Sequence, residues 1–329
     1  MFWASYLLAV LAVALAWPVP ILLSRAHWPA RSPFTAMVLW QTIALAGGLS
    51  MIGAMLVYGL DPIGDNLLAG LTALAGMVFH NAPTTELGFW HIFALSAAAL
   101  LTAHLVFTLL LTYYKIQRQR RRHRELLDLL AAPSADGART MVINVDSPVA
   151  YCLPGGARSV TVLSDGLMAA LEPAELRAVL SHENAHLSQR HHLLLWAFAA
   201  WRQALPWLPT TRLAQEAVNS LIEMLADDVA LKTESKATLI KAIAIVASGS
   251  PGAPEGRLAF GDPTLPDIDP GQPGATGGAG SARTTASRVS RLLSPQPPLP
   301  EALRAAVLAA CLLLLALPTA LLIVPGLLG

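Results

Sequence analysis

Apolar residues fall in four long blocks parted by polar stretches, and this pattern sets the architecture before any single residue is considered. Residues 2–23, 34–60, 89–114 and 305–328 are almost free of charge and reach the roughly 20 residues a helix needs to cross a bilayer. Trp3, Trp17, Trp40, Trp90, Tyr113 and Tyr114 tend toward the block ends, where aromatic rings anchor spans at the interface. The first block could also be a signal peptide. Its start carries no Lys or Arg and no small-residue cleavage site follows it, so it is read as a retained span. Residues 67–79 are apolar but too short to cross, which predicts an interfacial or re-entrant helix. The expected organisation is a three-span module over 1–116, a polar domain over 117–300 and a fourth span within 301–329.

Composition agrees: 54% of the residues are hydrophobic and 13% charged, as a membrane protein requires. The charges also predict an orientation, because Lys and Arg in short loops stay on the cytoplasmic side. Arg25 and Arg31 lie in the first loop, whereas Asp61, Asp65 and Glu86 mark the second. Lys115, Arg118, Arg120, Arg121, Arg122 and Arg124 follow the third span directly. Both termini are therefore expected outside and the intervening domain in the cytoplasm. At a membrane boundary such a basic cluster holds topology and touches anionic lipid, so no direct nucleic-acid binding is expected. His91 and His104 lie in the third span, and one interhelical hydrogen bond each accounts for them.

Within the domain the periodicity changes. Residues 125–130 continue the third span as an amphipathic helix, broken at 133–137. Runs at 140–145, 149–153 and 159–163, with a turn at 154–156, predict a small antiparallel sheet. A helix is expected from about Pro173, with Glu172 and Glu175 placed well against its dipole. Inside it stands His182-Glu183-Asn184-Ala185-His186, an H-E-x-x-H sequence. Residues four apart share a helix face, so both imidazoles can converge on one cation, with Glu183 beside the open position as general base.

A catalytic zinc takes a third protein ligand, and 210–231 has helical spacing with two threonines suited to capping its start. Glu223 is the third-ligand candidate. Asp227, one turn later, could accept a hydrogen bond from the outer nitrogen of a ligating histidine. Glu216 competes for the ligand role but has Ser220 where that acid would stand, and Asp228 points elsewhere. His191 and His192 fall off the ligand face; one could donate to a developing oxyanion, although a surface or headgroup role is favoured. Residues 193–205 could lean on the membrane or pack under the spans. From 248 to 287 Gly, Pro, Ser, Thr and Ala dominate, predicting a flexible loop that could gate the cleft, carry a self-cleavage site or only link. Val289, Leu292 and Leu293 suggest a short docking segment. Cys152 and Cys311 lie on opposite sides of the membrane boundary and are not expected to pair.

The strings S-V-T-V-L-S-D-G-L, L-E-P-A-E-L-R-A-V-L-S-H-E-N-A-H-L and E-M-L-A-D-D-V-A-L resemble the membrane metallopeptidases related to the BlaR and MecR antibiotic-sensing receptors. The resemblance spans about 147–231 by motif and most of the chain by order of spans. HtpX-like and CAAX-prenyl proteases share both motifs, and span order is the better discriminator. The resemblance implies one zinc ion held by His182, His186 and Glu223, with Glu183 as catalytic base. It also implies a mainly α membrane protein of four transmembrane helices, with a cytoplasmic α+β zincin-like (gluzincin) domain inserted between the third and fourth. In such peptidases an edge strand binds extended substrate by main-chain hydrogen bonds. That places Val149, Ala150 and Tyr151 as substrate-binding residues, with 159–163 as the alternative edge. The chain ends at Gly329, where those receptors continue into a penicillin-binding sensor, so the signal is expected from a separate sensor protein. The implied activity is zinc-dependent endoproteolysis of a cytoplasmic protein, a transcriptional repressor by analogy. HtpX-like quality control of many substrates is the alternative, and a signalling scaffold with structural zinc the second alternative.

Overall fold

A computed structural model describes residues 2–80, 86–133, 140–153, 159–248 and 277–323. Helices α1 (Phe2–Ala16) and α2 (Pro18–Ser24) form the first apolar segment, in which Pro18 supplies the break. A single 3-10 turn, Trp28–Arg31, leads into α3 (Pro33–Leu60). The short α4 (Leu67–His80) follows, then α5 (Phe89–Leu130), in which the third span and the amphipathic stretch after it form one unbroken helix. With the last helix (Glu301–Ile323), four helical segments among the described residues are long and apolar enough to cross a membrane. His91 Nδ1 lies 3.0 Å from the Tyr58 carbonyl and His104 Nε2 lies 2.9 Å from that of Ala204, the interhelical bonds expected of them.

Strands β1 (Ala132–Pro133), β2 (Thr140–Ile143), β3 (Ala150–Leu153) and β4 (Val160–Ser164) make one sheet in the order β1-β2-β4-β3. The sheet is mixed rather than antiparallel as expected, because β2 pairs with β4 in parallel. The loop between β2 and β3 lets β4 insert between them. Ser164 fixes that loop: its hydroxyl donates to the Ser147 carbonyl and accepts from the Val149 and Leu167 N–H groups. It thereby also caps α6 (Asp165–Ala170). Gly166 lies so close to the Asp146 carbonyl that a Cβ would overlap it.

The sheet lies between two helical layers. Leu127 of α5 packs with Leu153, Val162 and Tyr151 on one face. On the other, Ala150 and Leu163 meet Ala178 and Val179 of α7 (Pro173–Ser188) and Leu239 and Ile243 of α10 (Lys236–Ser248). After α7, Arg190 adopts a left-handed conformation at φ 52°, an uncommon state for a residue other than glycine that turns the chain at once into α8 (His191–Ala204). α9 (Pro209–Ala230) returns along it. One expectation is corrected here. Thr210 and Thr211 do not cap α9: they donate to Leu15 and Ala16 and to Leu205 and Leu208 carbonyls, tying the helix start to the first span. Of the two alternatives for residues 193–205, the structure has packing against the spans, with Phe198 and Leu195 buried beside Trp40 and Met37.

The expected loop over 248–287 is partly corrected as well. Residues 249–276 lie outside the described residues, but 277 onward form α11 (Gly277–Leu293), which carries the expected docking segment on its last turns. Helix α12 (Glu301–Ile323) completes the described chain.

Replacing Gly166 by Ala should destabilise the domain by about 1–3 kcal/mol, because the Asp146 loop has to shift. A thermal unfolding midpoint equal to that of the unmodified protein would contradict this.

Candidate metal centre

Helix α7 is set at its start. Glu172 and Glu175 form a reciprocal capping box, with the Glu172 N–H donating to Glu175 Oε2 at 2.8 Å. Lys241 of α10 reaches both acids, at 3.2 and 2.6 Å. Two turns further on, His182 and Glu183 are buried, while His186 lies one turn beyond on the same face.

Helix α9 crosses α7 and brings Glu223 to the two imidazoles. His182 Nε2 is 3.3 Å from His186 Nε2 and 3.4 Å from Glu223 Oε2, and His186 Nε2 is 3.6 Å from Glu223 Oε1. Ligands about 2.0–2.1 Å from a tetrahedral zinc lie about 3.3 Å apart, so these three atoms have the separations such an ion imposes. The donors fit zinc, and among the described residues they form the one group of this kind. Glu216 does not approach: it pairs with Arg212 at 3.3 Å on an exposed face.

The outer nitrogens are also held. His182 Nδ1 is 2.9 Å from Asp227 Oδ1, the expected orienting contact. His186 Nδ1 is 3.1 Å from His191 Nδ1, whose Nε2 faces Gln189 Oε1 at 2.8 Å. His191 is 1% exposed, which overturns the surface or headgroup role expected of it. It orients a candidate ligand from behind. The sequence concealed this because the left-handed Arg190 folds α8 back on α7, and helical periodicity carried past Ser188 points His191 the wrong way.

Arg288 of α11 is the member of this cluster that the motifs did not reveal. Its Nε and a terminal nitrogen bind both oxygens of Asp227 at 2.8 and 2.6 Å, and its other nitrogen reaches Glu223 Oε2 at 3.0 Å. Arg291, one turn on, holds both oxygens of Asp228 at 2.8 and 3.1 Å. Two arginines three apart facing two adjacent aspartates was the available signal, but about 60 residues of chain separate them.

Charge in this pocket follows from burial and pairing. Burial alone favours a neutral His182, but its bonds to Asp227 and Glu223 outweigh that and raise the ring to about 9. Burial lowers His186 to about 3 and raises Glu183 to about 8. Burial would raise Asp227, yet His182 and Arg288 together hold it at about 2. Glu223 is lowered in the same way, against its burial, chiefly by His182 and Arg288.

Strand β3 forms the edge of the sheet beside α7, at the place expected for substrate, and Val149 immediately precedes it. The Cys152 N–H donates to the Glu183 carboxylate. The Tyr151 side chain is turned to the opposite face, where its hydroxyl meets His123 Nε2 at 2.6 Å. Ala150 packs beneath the sheet against α7.

Residues 116–249 match the family Peptidase family M48. No curated protein and no solved structure matches the chain. The M48 match covers α7 and α9, and with them His182, Glu183, His186, Glu223 and Asp227, and it supports a zinc metallopeptidase. Arg288 lies beyond the matched residues, on an element that contributes to the same cluster.

Two predictions follow from this cluster. Arg288→Ala leaves two buried carboxylates short of a cation and should cost about 3–5 kcal/mol, seen as a lowered unfolding midpoint, while Arg288→Lys recovers only part because it cannot form the paired bonds. Zinc loading at pH 7 should release one proton from His182 and a second from Glu183, whose burial-driven preference for the neutral form the ion's charge reverses. A raised His182 is charged below about 9, so zinc affinity should climb with pH up to that value. Calorimetry in buffers of different ionisation heat counts the protons; Glu183→Gln should release one fewer, and an affinity that does not change with pH would contradict the assignment.

Proposed function

We propose that the protein is an integral membrane zinc endopeptidase, with His182, His186 and Glu223 as metal ligands and Glu183 as general base. The observation that carries this is the meeting of three ligand atoms at tetrahedral separations on two helices remote in sequence, with a buried carboxylate beside them. Asp227 and His191 fix the two imidazoles, and Arg288 balances the carboxylates behind them.

Zinc, when bound, supplies Lewis acidity toward water and the scissile carbonyl. Glu183 takes the attacking water's proton and returns it to the leaving amine. Its burial favours holding that proton between the two transfers, and the Cys152 N–H holds the carboxylate in place. Edge strand β3 aligns the substrate backbone from Val149 through Tyr151, which makes recognition tolerant of side-chain sequence.

The basic run after Tyr114 favours a cytoplasmic domain with both termini outside. Resemblance to the BlaR and MecR group, carried by span order, favours a single cytoplasmic repressor as substrate and a separate sensor as partner. The sequence-tolerant edge strand favours the second reading, quality control of many unfolded proteins. Profiling cleavage products after induced expression separates the two: one dominant substrate, or a broad set.

Glu183→Gln should keep its zinc and lose roughly 10²–10⁴-fold of cleavage rate, whereas His186→Ala and Glu223→Ala should lose the metal. Metal analysis with a casein cleavage assay reads both, and full activity in Glu183→Gln would remove the base assignment.

A further inference from the structure

The turn joining α8 and α9 meets three of the spans far from their ends. The Ala204 carbonyl accepts from His104, Leu205 and Leu208 pack with Ala16, Met51, Leu101 and Leu105, and Thr210 donates to the Leu15 carbonyl at 3.0 Å. At 1.5 Å per residue, Leu101 is about 18 Å from Phe89 and about 20 Å from Tyr114, and Ala16 is about 21 Å from Phe2. A hydrocarbon core is about 30 Å thick, so two independent spans place this turn near the midplane. α8 and α9 therefore dip into the half of the bilayer nearest the domain and return.

α9 is charged where it is submerged. Arg212 and Glu216 lie about 5 and 10 Å along the axis from Pro209, within a half-core of about 15 Å. Their side chains pair at 3.3 Å and remain 55% and 52% exposed. Ala214, Val218, Leu221 and Ile222, on the opposite side of α9, are buried against Trp40 and Ile43. Positions 212, 216, 219 and 223 recur at helical spacing, so the charged face is continuous with the metal ligand Glu223. Gln215 Oε1 and Asn219 Oδ1 along it, and Glu183 Oε1 at its end, are buried acceptors with no donor among the described residues. Lipid is a poor neighbour for it, because charged groups at that depth belong beside water.

We propose that α8 and α9 are a re-entrant helical pair whose polar face holds a water-filled crevice, running from the bilayer midplane to the metal centre. Water occupies it and solvates the exposed Arg212–Glu216 pair. The crevice joins the site to the membrane interior as well as to the aqueous domain side, independently of whether the centre cleaves peptides.

Thiol accessibility tests this in proteoliposomes of the full chain, with Cys152 and Cys311 replaced by Ala so that each variant has one thiol. Glu216→Cys and Arg212→Cys should react with a charged methanethiosulfonate added on the domain side at least tenfold faster than Phe107→Cys. Phe107, 62% exposed on α5 at comparable depth, is the lipid-facing control. Because those variants break the ion pair, Gln203→Cys on the last turn of α8 supplies a position outside it. Equal slow labelling of Gln203→Cys, Glu216→Cys and Phe107→Cys, while an uncharged permeant maleimide reaches all three, would overturn the crevice. Rapid labelling of Glu216→Cys only after dispersal to monomers in detergent would also overturn it, since a second copy would then cover the face.

Discussion

Five ionisable groups from α7 and α9, His182, Glu183, His186, Glu223 and Asp227, crowd into one buried space, and Arg288 of α11 joins them to balance the carboxylates. Asp227 and Glu223 would repel across a medium of low dielectric, and burial would drive both toward the protonated form. His182 and Arg288 reverse that. The aspartate bonds the imidazole with one oxygen and the guanidinium with both, and Glu223 is placed between imidazoles and guanidinium. The planar fork of Arg288 matters here, since a point charge could not serve both carboxylates at once. With negative charge balanced from behind, the front oxygens of Glu223 and the Nε2 atoms of both histidines stay available for a dication. The same pairing explains how the candidate ligands can be preformed in this fold: the groups behind them are ion-paired.

That cluster also fixes the relation between domain and membrane. α9 carries Glu223, the candidate third ligand, at one end and starts among the spans at the other, where Thr210 is tied to the first span. α11 ties in a further element: Arg291 binds Asp228 and the Ala30 carbonyl, and Arg31 binds the Pro297 carbonyl. The first loop, the metal helix and the approach to the last span are thus fastened within a few residues of one another. Any rearrangement of the spans is transmitted to α9 by packed helix and paired charge, without a mobile linker between.

How far this was legible depends on the range over which each signal acts. The spans and the H-E-x-x-H helix rest on local periodicity, which a one-dimensional pattern preserves, and the structure keeps them. Glu223 was legible because its Asp227 companion lies one helical turn away. The β2-β4 parallel pairing was not, since alternation of side chains carries no information on strand direction. Arg288 and His191 were missed for different reasons. The first acts across a composition of Gly, Pro and Ser that suggested a loop ending one residue before it. The second depends on one left-handed residue, Arg190, which no apolar pattern marks.

The depth of the α8–α9 turn was hidden for an instructive reason. Residues 193–205 are apolar enough to enter a bilayer, but too few to cross it, and the next helix begins with charges that look like those of a soluble surface. A length criterion discards the first and a charge criterion the second. Only their pairing resolves the contradiction, because two helices that turn back at the midplane need half the span length each, and a charged face on one of them is tolerable where water follows it in. The apolar side of α9 against Trp40 and Ile43 supplies the anchoring, and its polar side carries the exposed Arg212–Glu216 pair. On the proposed reading, one helix holds the candidate third ligand, Glu223, and borders the wet route beneath it.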